Sequence, residues 1–257
     1  DAKLMVAEIE KNFGSTKVII DASTAHRVSE GWVYGFPELQ RNQRVQIKQS
    51  NRISNPGCYP TGALALIRPL VDNKIISNSS LLVINAVSGF TGGGKKLIEF
   101  FSKNEKDKFY HYSTFLDHKH NQEIKHYSLL DKSPVFCPSV GSFPQGMAVS
   151  VPLHYDWFSS NAKGKDIFEL FKDNYSSEPL VTINALNSKD HLADNGFLSP
   201  EVLIGTNFID ISIFSNDQSG QIWLISRLDN LGKGASGAAL QNMNLRFGFD
   251  ENLGVRL

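Results

Sequence analysis

The sequence predicts an α/β layer that runs into an α+β domain. Three observations carry that reading. The chain opens in the order helix, buried strand, polar loop. A Pro-Gly turn at Asn55–Cys58 then leads into a second helix and strand. The second half is dominated by apolar residues recurring at every other position. With 257 residues, 41% of them hydrophobic, there is material for one large or two modest soluble domains.

The elements follow in order. Leu4, Val6, Ala7, Ile9 and Phe13 share much of one helical face, and Gly14 supplies the stop. Val18-Ile19-Ile20 is a short apolar strand running into Asp21, as in half of a doubly wound parallel sheet. Behind Cys58, Ala63, Leu64, Ile67, Leu70 and Val71 recur at helical spacing, with Pro60 in the first turn where its missing N–H costs nothing. Leu81–Ile84 reads as a buried strand ending in the glycine run Gly89–Gly94. Strands follow at Met147–His154, around Ile209, Ile211 and Ile213, and at Ile222–Ser226. A helix around Ile167–Phe171 interrupts them. Gly234-Ala235-Ser236-Gly237 opens a last helix through Met243 and Leu245, expected to return to the first layer. The expected divisions are 1–57, 58–230 and 231–257.

Lys plus Arg and Asp plus Glu number 26 each. A neutral chain without a basic run gives no electrostatic reason to expect nucleic acid or an anionic membrane as partner. No apolar run approaches the ~20 residues that span a bilayer, and no secretory segment opens the chain. Two cysteines, Cys58 and Cys137, are too few for a disulfide framework, so a reducing cytoplasm and free thiols are expected. The start at Asp1, already inside a helix, is expected of a fragment or a processed form.

Cys58 is the sharpest chemical feature. At a helix start, unpaired N–H groups and the positive end of the dipole are expected to lower a thiol's pKa. Gly57 leaves room for a substrate beside the sulfur. The plainer alternative is a cysteine acting as a small buried hydrophobe, the role expected of Cys137 among its apolar neighbours. A nucleophilic thiol needs an acid–base partner. His118 and His120 precede Glu123, and His120 and Glu123 are three apart on one helical face, so the carboxylate is expected to orient the imidazole. Surface histidines are the alternative. A zinc site lacks a third ligand, and no metal is expected.

Gly89-Phe90-Thr91-Gly92-Gly93-Gly94-Lys95 has P-loop spacing after a strand, but Lys96 stands where Ser or Thr would hold magnesium. A metal-free phosphate site using Lys95 and Lys96 and a plain connection with solvated lysines remain as readings. Arg27, in the loop after the first strand, offers a fork suited to phosphate or carboxylate. No G-x-G-x-x-G fingerprint precedes these segments.

Taken jointly, several stretches resemble the N-acetyl-γ-glutamyl-phosphate reductase family. They are Asp21–Arg27 with Gly31-Trp32-Val33-Tyr34-Gly35-Phe36-Pro37-Glu38-Leu39, Asn55–Gly62, His118-Lys119-His120 with Glu123, Asp229–Leu231 with Lys233–Gly237, and Gln241–Asn244. The family usually has Pro where this chain has Gln122. The resemblance implies a partial Rossmann-like dinucleotide layer, short of its glycine-rich first part, beside a mixed-sheet catalytic and dimerisation domain of the semialdehyde dehydrogenase type. It implies NADPH-dependent reduction of an acyl phosphate in arginine biosynthesis, through a Cys58 thioester, by a homo-oligomer. In that reading His120 (or His118) is the acid–base, Glu123 its orienting group, and Arg27, Lys95 and Lys96 contact substrate. Ser23, Ser88, Gly89, Asn230, Gly234 and Ala235 lie near the nicotinamide. Two other readings stand beside it: a Cys-His acyl transferase or hydrolase without nicotinamide, and a noncatalytic oligomerisation fragment.

Overall fold

The structure, a computed structural model, describes residues 1–104, 106 and 108–256. Two sheets meet along one central helix. The smaller sheet is parallel, in the order β1 (Ile19–Asp21), β3 (Arg52–Ser54), β2 (Val33–Tyr34). Helix α1 (Ala2–Phe13) precedes it, and α2 (Gln43–Gln49) lies between β2 and β3. The larger sheet is mixed and has seven strands. Its order is β5 (Phe109–His111), β6 (Val135–Gly141), β4 (Val83–Gly89), β7 (Met147–His154), β10 (Gln221–Leu228), β9 (Ile209–Asn216), β8 (Val181–Ile183). The pairs β4/β6 and β8/β9 run parallel and the other neighbours antiparallel.

The central helix is α3 (Cys58–Asp72). It is apolar nearly all round, the pattern of a helix with no solvent face, and almost every residue from Tyr59 to Val71 is buried. Gly62 lets it lie flat on the larger sheet: Ser226 Oγ donates to Gly62 O at 3.0 Å, bridging β10 to the helix backbone. The period-2 strands bury their expected faces. Met147, Val149, Val151, Ile209, Ile211, Ile213, Ile222 and Leu224 all join the core around Leu64, Leu66, Ile67 and Leu70. Helices α5 (Asn121–Ser128) and α6 (Gly164–Asn174) pack against α3, while α4 (Gly94–Lys103) follows the glycine run after β4.

The last helix, α7 (Gly237–Phe247), returns to the first layer as expected. Its Leu245 packs with Ile47 of α2 and Ile53 of β3. It does not begin at Gly234, however. Residues Gly232–Ser236 form a π turn, with Gly234 N–H bonded to Asp229 O and Ser236 N–H to Leu231 O.

Helix α1 forms and stops at Gly14 as expected, and it buries none of its residues; Leu4 and Phe13 are exposed. It is tethered instead by the Glu10–Arg52 ion pair. The strand expected at Leu81–Ile84 starts at Val83 and runs on to Gly89, with Leu81 in solvent. Among the described residues no helix is long and apolar enough to cross a membrane.

Candidate active site

The carboxyl ends of β1, β3 and β4 converge on the start of α3, the place where parallel α/β layers hold ligands. Asn55 N–H bonds Asp21 O at 2.8 Å, which joins the loops that leave β3 and β1. Gly57 is the helix cap, and Cys58 is the first helical residue, half-buried at the wall of a cleft of about 770 Å³. Glycine at 57 is required by close approach. A Cβ there would lie 2.6 Å from Arg27 Nη1 and 2.6 Å from His120 Nε2. The cation and the imidazole are thus pressed against the peptide that carries the thiol. Gly234 closes the other side: a Cβ on it would sit 2.7 Å from Cys58 Cβ.

Glu123 is buried behind this turn. Its Oε1 accepts from Tyr34 OH (2.7 Å) and Gly57 N–H (2.8 Å), and its Oε2 accepts from Arg27 Nη1 (3.0 Å). Burial raises its pKa, and Arg27 and the hydrogen bonds offset that only in part. Three donors and no acceptor surround the carboxylate, which is the partner set of the ionised form. Those bonds correct an expectation. Glu123 does not orient His120, whose Nδ1 is buried without a partner. The carboxylate instead locks the Gly57 peptide and the Arg27 fork. Arg27 also donates from Nε to Asn55 O (3.0 Å) and from Nη2 to Ala22 O (3.2 Å). Two of its five N–H donors are left without a protein partner, available to an anion in the cleft.

The two histidines are brought together, with ring centroids 4.8 Å apart. His118 Nδ1 accepts from His120 N–H at 3.2 Å, and the His118 ring packs edge-on to Tyr59 and Phe136. Burial, with Lys119 adding to it, lowers the His118 pKa to about 4. Burial also holds His120 well below its usual value, with His118, Arg27 and Lys119 contributing. Both rings are therefore neutral at pH 7. The thiol differs from expectation as well. Burial pushes the Cys58 pKa up, and the Tyr59 N–H and the Arg27 charge offset that only in part. The helix start acts in the expected direction, but desolvation outweighs it. At rest the thiol and both imidazoles are neutral.

Of the residues singled out from sequence, Arg27, Cys58, Ser88, Gly89, Lys96, His118, His120, Asn230, Gly234 and Ala235 line this one cleft. Lys95 is exposed and does not line it. Ser23 does not either, because its hydroxyl bonds Asp21 Oδ2 (2.9 Å) and accepts from Ala25 N–H. Lys119, between the histidines, and an apolar wall of Leu97, Phe100, Tyr110 and Tyr112 complete the cleft. Lys119 sits inside the His-Lys-His triplet, so its place could have been read from sequence. The aromatic wall comes from scattered positions and carried no such signal.

Comparison with known proteins gives the class first. The family model described as "Semialdehyde dehydrogenase, dimerisation domain" matches residues 58–230. The chain is similar to the solved aspartate semialdehyde dehydrogenase II of Vibrio cholerae (TM-score 0.67, 16% identity, covering 96% of this chain and 77% of that one). It is similar also to the aspartate semialdehyde dehydrogenase of Francisella tularensis (TM-score 0.69, 13% identity, 95% and 78%). At such identity the likeness establishes the fold, and the expected semialdehyde dehydrogenase architecture holds.

In sequence the chain is 43% identical over 245 residues to N-acetyl-gamma-glutamyl-phosphate reductase of Trichormus variabilis, covering 92% of this chain and 76% of that protein. It is 41% identical over 253 residues to the enzyme of that name from Brucella ovis, covering 96% and 80%. The chain belongs to the N-acetyl-gamma-glutamyl-phosphate reductase family.

Proposed function

We propose that this chain reduces N-acetyl-γ-glutamyl phosphate to N-acetylglutamate 5-semialdehyde, a step of arginine biosynthesis, with Cys58 as the acyl acceptor. One observation carries the reading: His120 Nε2 and Arg27 Nη1 both crowd the Gly57 peptide that positions the thiol. A base and an anion holder thereby flank one nucleophile.

The sulfur attacks the acyl carbon of the bound acyl phosphate. A C–S bond forms, the C–O bond to phosphorus breaks, and phosphate leaves with that electron pair, taking a proton from solvent. His120 Nε2 receives the thiol proton. Before substrate binds, this transfer is uphill, because the thiol pKa is raised and the imidazole pKa lowered. Burial is the main depressor of His120; a phosphate dianion entering beside Arg27 and Lys119 offsets the part their charges add. Substrate thus switches on its own base. A backbone N–H at the mouth of α3 other than those of Gly57 and Tyr59, which Glu123 and the sulfur hold, would stabilise the oxygen that gains charge, a contribution typically worth ~3 kcal/mol.

The cleft suits a nicotinamide beside the sulfur: its wall there is Gly234 and Ala235, and one Asn230 amide N–H remains after its bonds to Thr91 and from Gly146. When bound, NADPH supplies the hydride that takes the thioester to the aldehyde level. His120, carrying the thiol's proton, delivers it to the oxyanion and recovers it as the hemithioacetal collapses. Ser88, Gly89, Asn230, Gly234 and Ala235 are the residues that would hold the ring. We read residues 1–57 with 231–257 as the cofactor side and 58–230 as the catalytic side. The outer face of the larger sheet carries Trp223, half-exposed beside Pro152 and Phe214; a second copy of the chain covering it accords with the dimerisation named for the matching family model. The free state of both cysteines accords with a reducing cytoplasm.

The test mixes protein, N-acetyl-γ-glutamyl phosphate and NADPH and follows nicotinamide absorbance and phosphate together. The reading expects one nicotinamide oxidised per phosphate released. Phosphate release at constant absorbance would replace it with an acyl phosphate hydrolase.

A further inference from the structure

We propose that the buried Glu38–Lys233 ion pair, closed by Gln241, is a positioning device for the Cys58 sulfur, acting through the π turn Gly232–Ser236. The inference rests on the reading of Cys58 as acyl acceptor and adds residues that do not touch the reacting atoms.

Both side chains of the pair are completely buried. Lys233 Nζ donates to Glu38 Oε1 at 2.7 Å and to Gln241 Oε1 at 2.6 Å, and Gln241 Nε2 donates back to Glu38 Oε1 at 2.9 Å. Charge buried this deeply is weak evidence for stability, since well-packed apolar residues of like volume often serve a fold as well or better. Geometric specificity is the better reason for it here, and the surroundings show what is specified. A π turn is a rare, widened arrangement. Lys233 stands between Gly232 and Gly234, where the backbone has the greatest freedom to drift. Its side chain is the one long anchor in the turn, and it reaches across to Glu38 on the segment after β2.

That turn touches the thiol loop twice. Gly234 abuts the Cys58 Cβ, and Ala235 O accepts from Asn55 Nδ2 at 2.9 Å. Asn55 Oδ1 in turn accepts from Asn242 Nδ2 at 3.1 Å, one residue after Gln241. A turn released from Glu38 would withdraw the wall that desolvates the sulfur. The thiol would become easier to ionise and to reach, yet worse placed for transfer.

This divergence is the signature. The double variant E38M/K233M replaces the pair with apolar side chains of similar length. Expected is a cooperative melt near that of the parent, with Cys58 acylation by N-acetyl-γ-glutamyl phosphate slowed by about 10- to 100-fold, the scale of a small misplacement at the reacting atom. Alkylation of Cys58 by iodoacetamide, normalised to Cys137 in the same sample, is expected to rise severalfold and to inflect at lower pH. General loosening would raise both cysteines together. Parent values for acylation, alkylation ratio and inflection in the folded double variant would overturn the proposal. Should the double variant not fold, E38Q, isosteric with the parent, is read by the same criteria. Failure of the parent protein itself to be acylated would sink the reading of Cys58, while the alkylation arm, which needs neither substrate nor cofactor, still decides whether the pair positions the thiol.

Discussion

The seven-stranded sheet meets α3 through hydrocarbon: Leu64, Leu66, Ile67 and Leu70 lie fully buried against Val149, Ile211 and Leu224. The three-stranded layer has far less of it, a cluster of Ile47, Ile53 and Leu245 with Ile20 and Val33 at its edge. Around that small cluster stand three buried or half-buried charge groupings: Glu38–Lys233, Arg27–Glu123, and Arg44 between Glu178 and Glu251. The face that meets α3 supplies a platform of hydrocarbon, while the sheet's own buried ion pair, Arg227–Asp210, ties β10 to β9. The layer supplies direction, because hydrogen-bonded charges specify angles that hydrocarbon does not. Cys58 stands on the seam, with its helix on the platform and its flanking loops held by the charges.

The comparison is broken most severely at the seam itself. Cys58→Ala is expected to bring reduction to background while the melt stays near the parent's. His120→Asn should cost about 10²- to 10⁴-fold in turnover, the range of a general acid–base; an equal loss for His118→Asn in steady-state assays would shift the role to the pair.

Next come the two regions. Leu64→Ala removes hydrocarbon from the platform and should cost about 2–5 kcal/mol in denaturant unfolding, with little dependence on pH. Glu123→Gln breaks a buried pair and should cost about 3–5 kcal/mol. Burial holds the Glu123 pKa above its ordinary value, so the parent gains stability as acid protonates it and the penalty should grow toward acid, which Leu64→Ala should not show. The same pH profile in both variants would erase the distinction between the regions.

A gentler effect concerns the histidines. The unfolded chain binds protons at its histidines near pH 6.5, whereas His118 binds only near pH 4 and His120 is held well below its usual value. Stability is therefore complete above pH 6.5 and falls as pH drops from 6.5 toward 4. His118→Asn should flatten that slope in melts across the window; an unaltered slope would count against the buried neutral ring. The smallest effect is expected at Trp223→Glu, which should leave monomer stability within about 0.5 kcal/mol while weakening self-association in sedimentation.

Much of this was legible in the sequence. The strands of the larger sheet announce themselves because one face of each is buried and the period is two. The mouth of α3 is marked by Asn55-Pro56-Gly57 ahead of helical spacing. What escaped depends on partners distant in the chain. The Cys58 pKa takes the opposite sign to the one its helix start implies, because its desolvation comes from Gly234 and the residues around the cleft. Glu123 looked like a partner for His120, since they share a helix start. Tyr34, Arg27 and the Gly57 N–H, all from other elements, take both its oxygens. The π turn was hidden because Gly-Lys-Gly-Ala-Ser has the composition of an ordinary helix opening. Helix α1 showed the limit of periodicity: an apolar stripe forms a helix without supplying what covers it.

The most direct measurement is intact-mass and peptide mapping of the protein mixed with N-acetyl-γ-glutamyl phosphate in the absence of NADPH. The account predicts one N-acetylglutamyl group on the Cys58 peptide, released by hydroxylamine, with one phosphate freed per group attached and no adduct on Cys58→Ala. Phosphate freed without any adduct, or an adduct that survives Cys58→Ala, would contradict it.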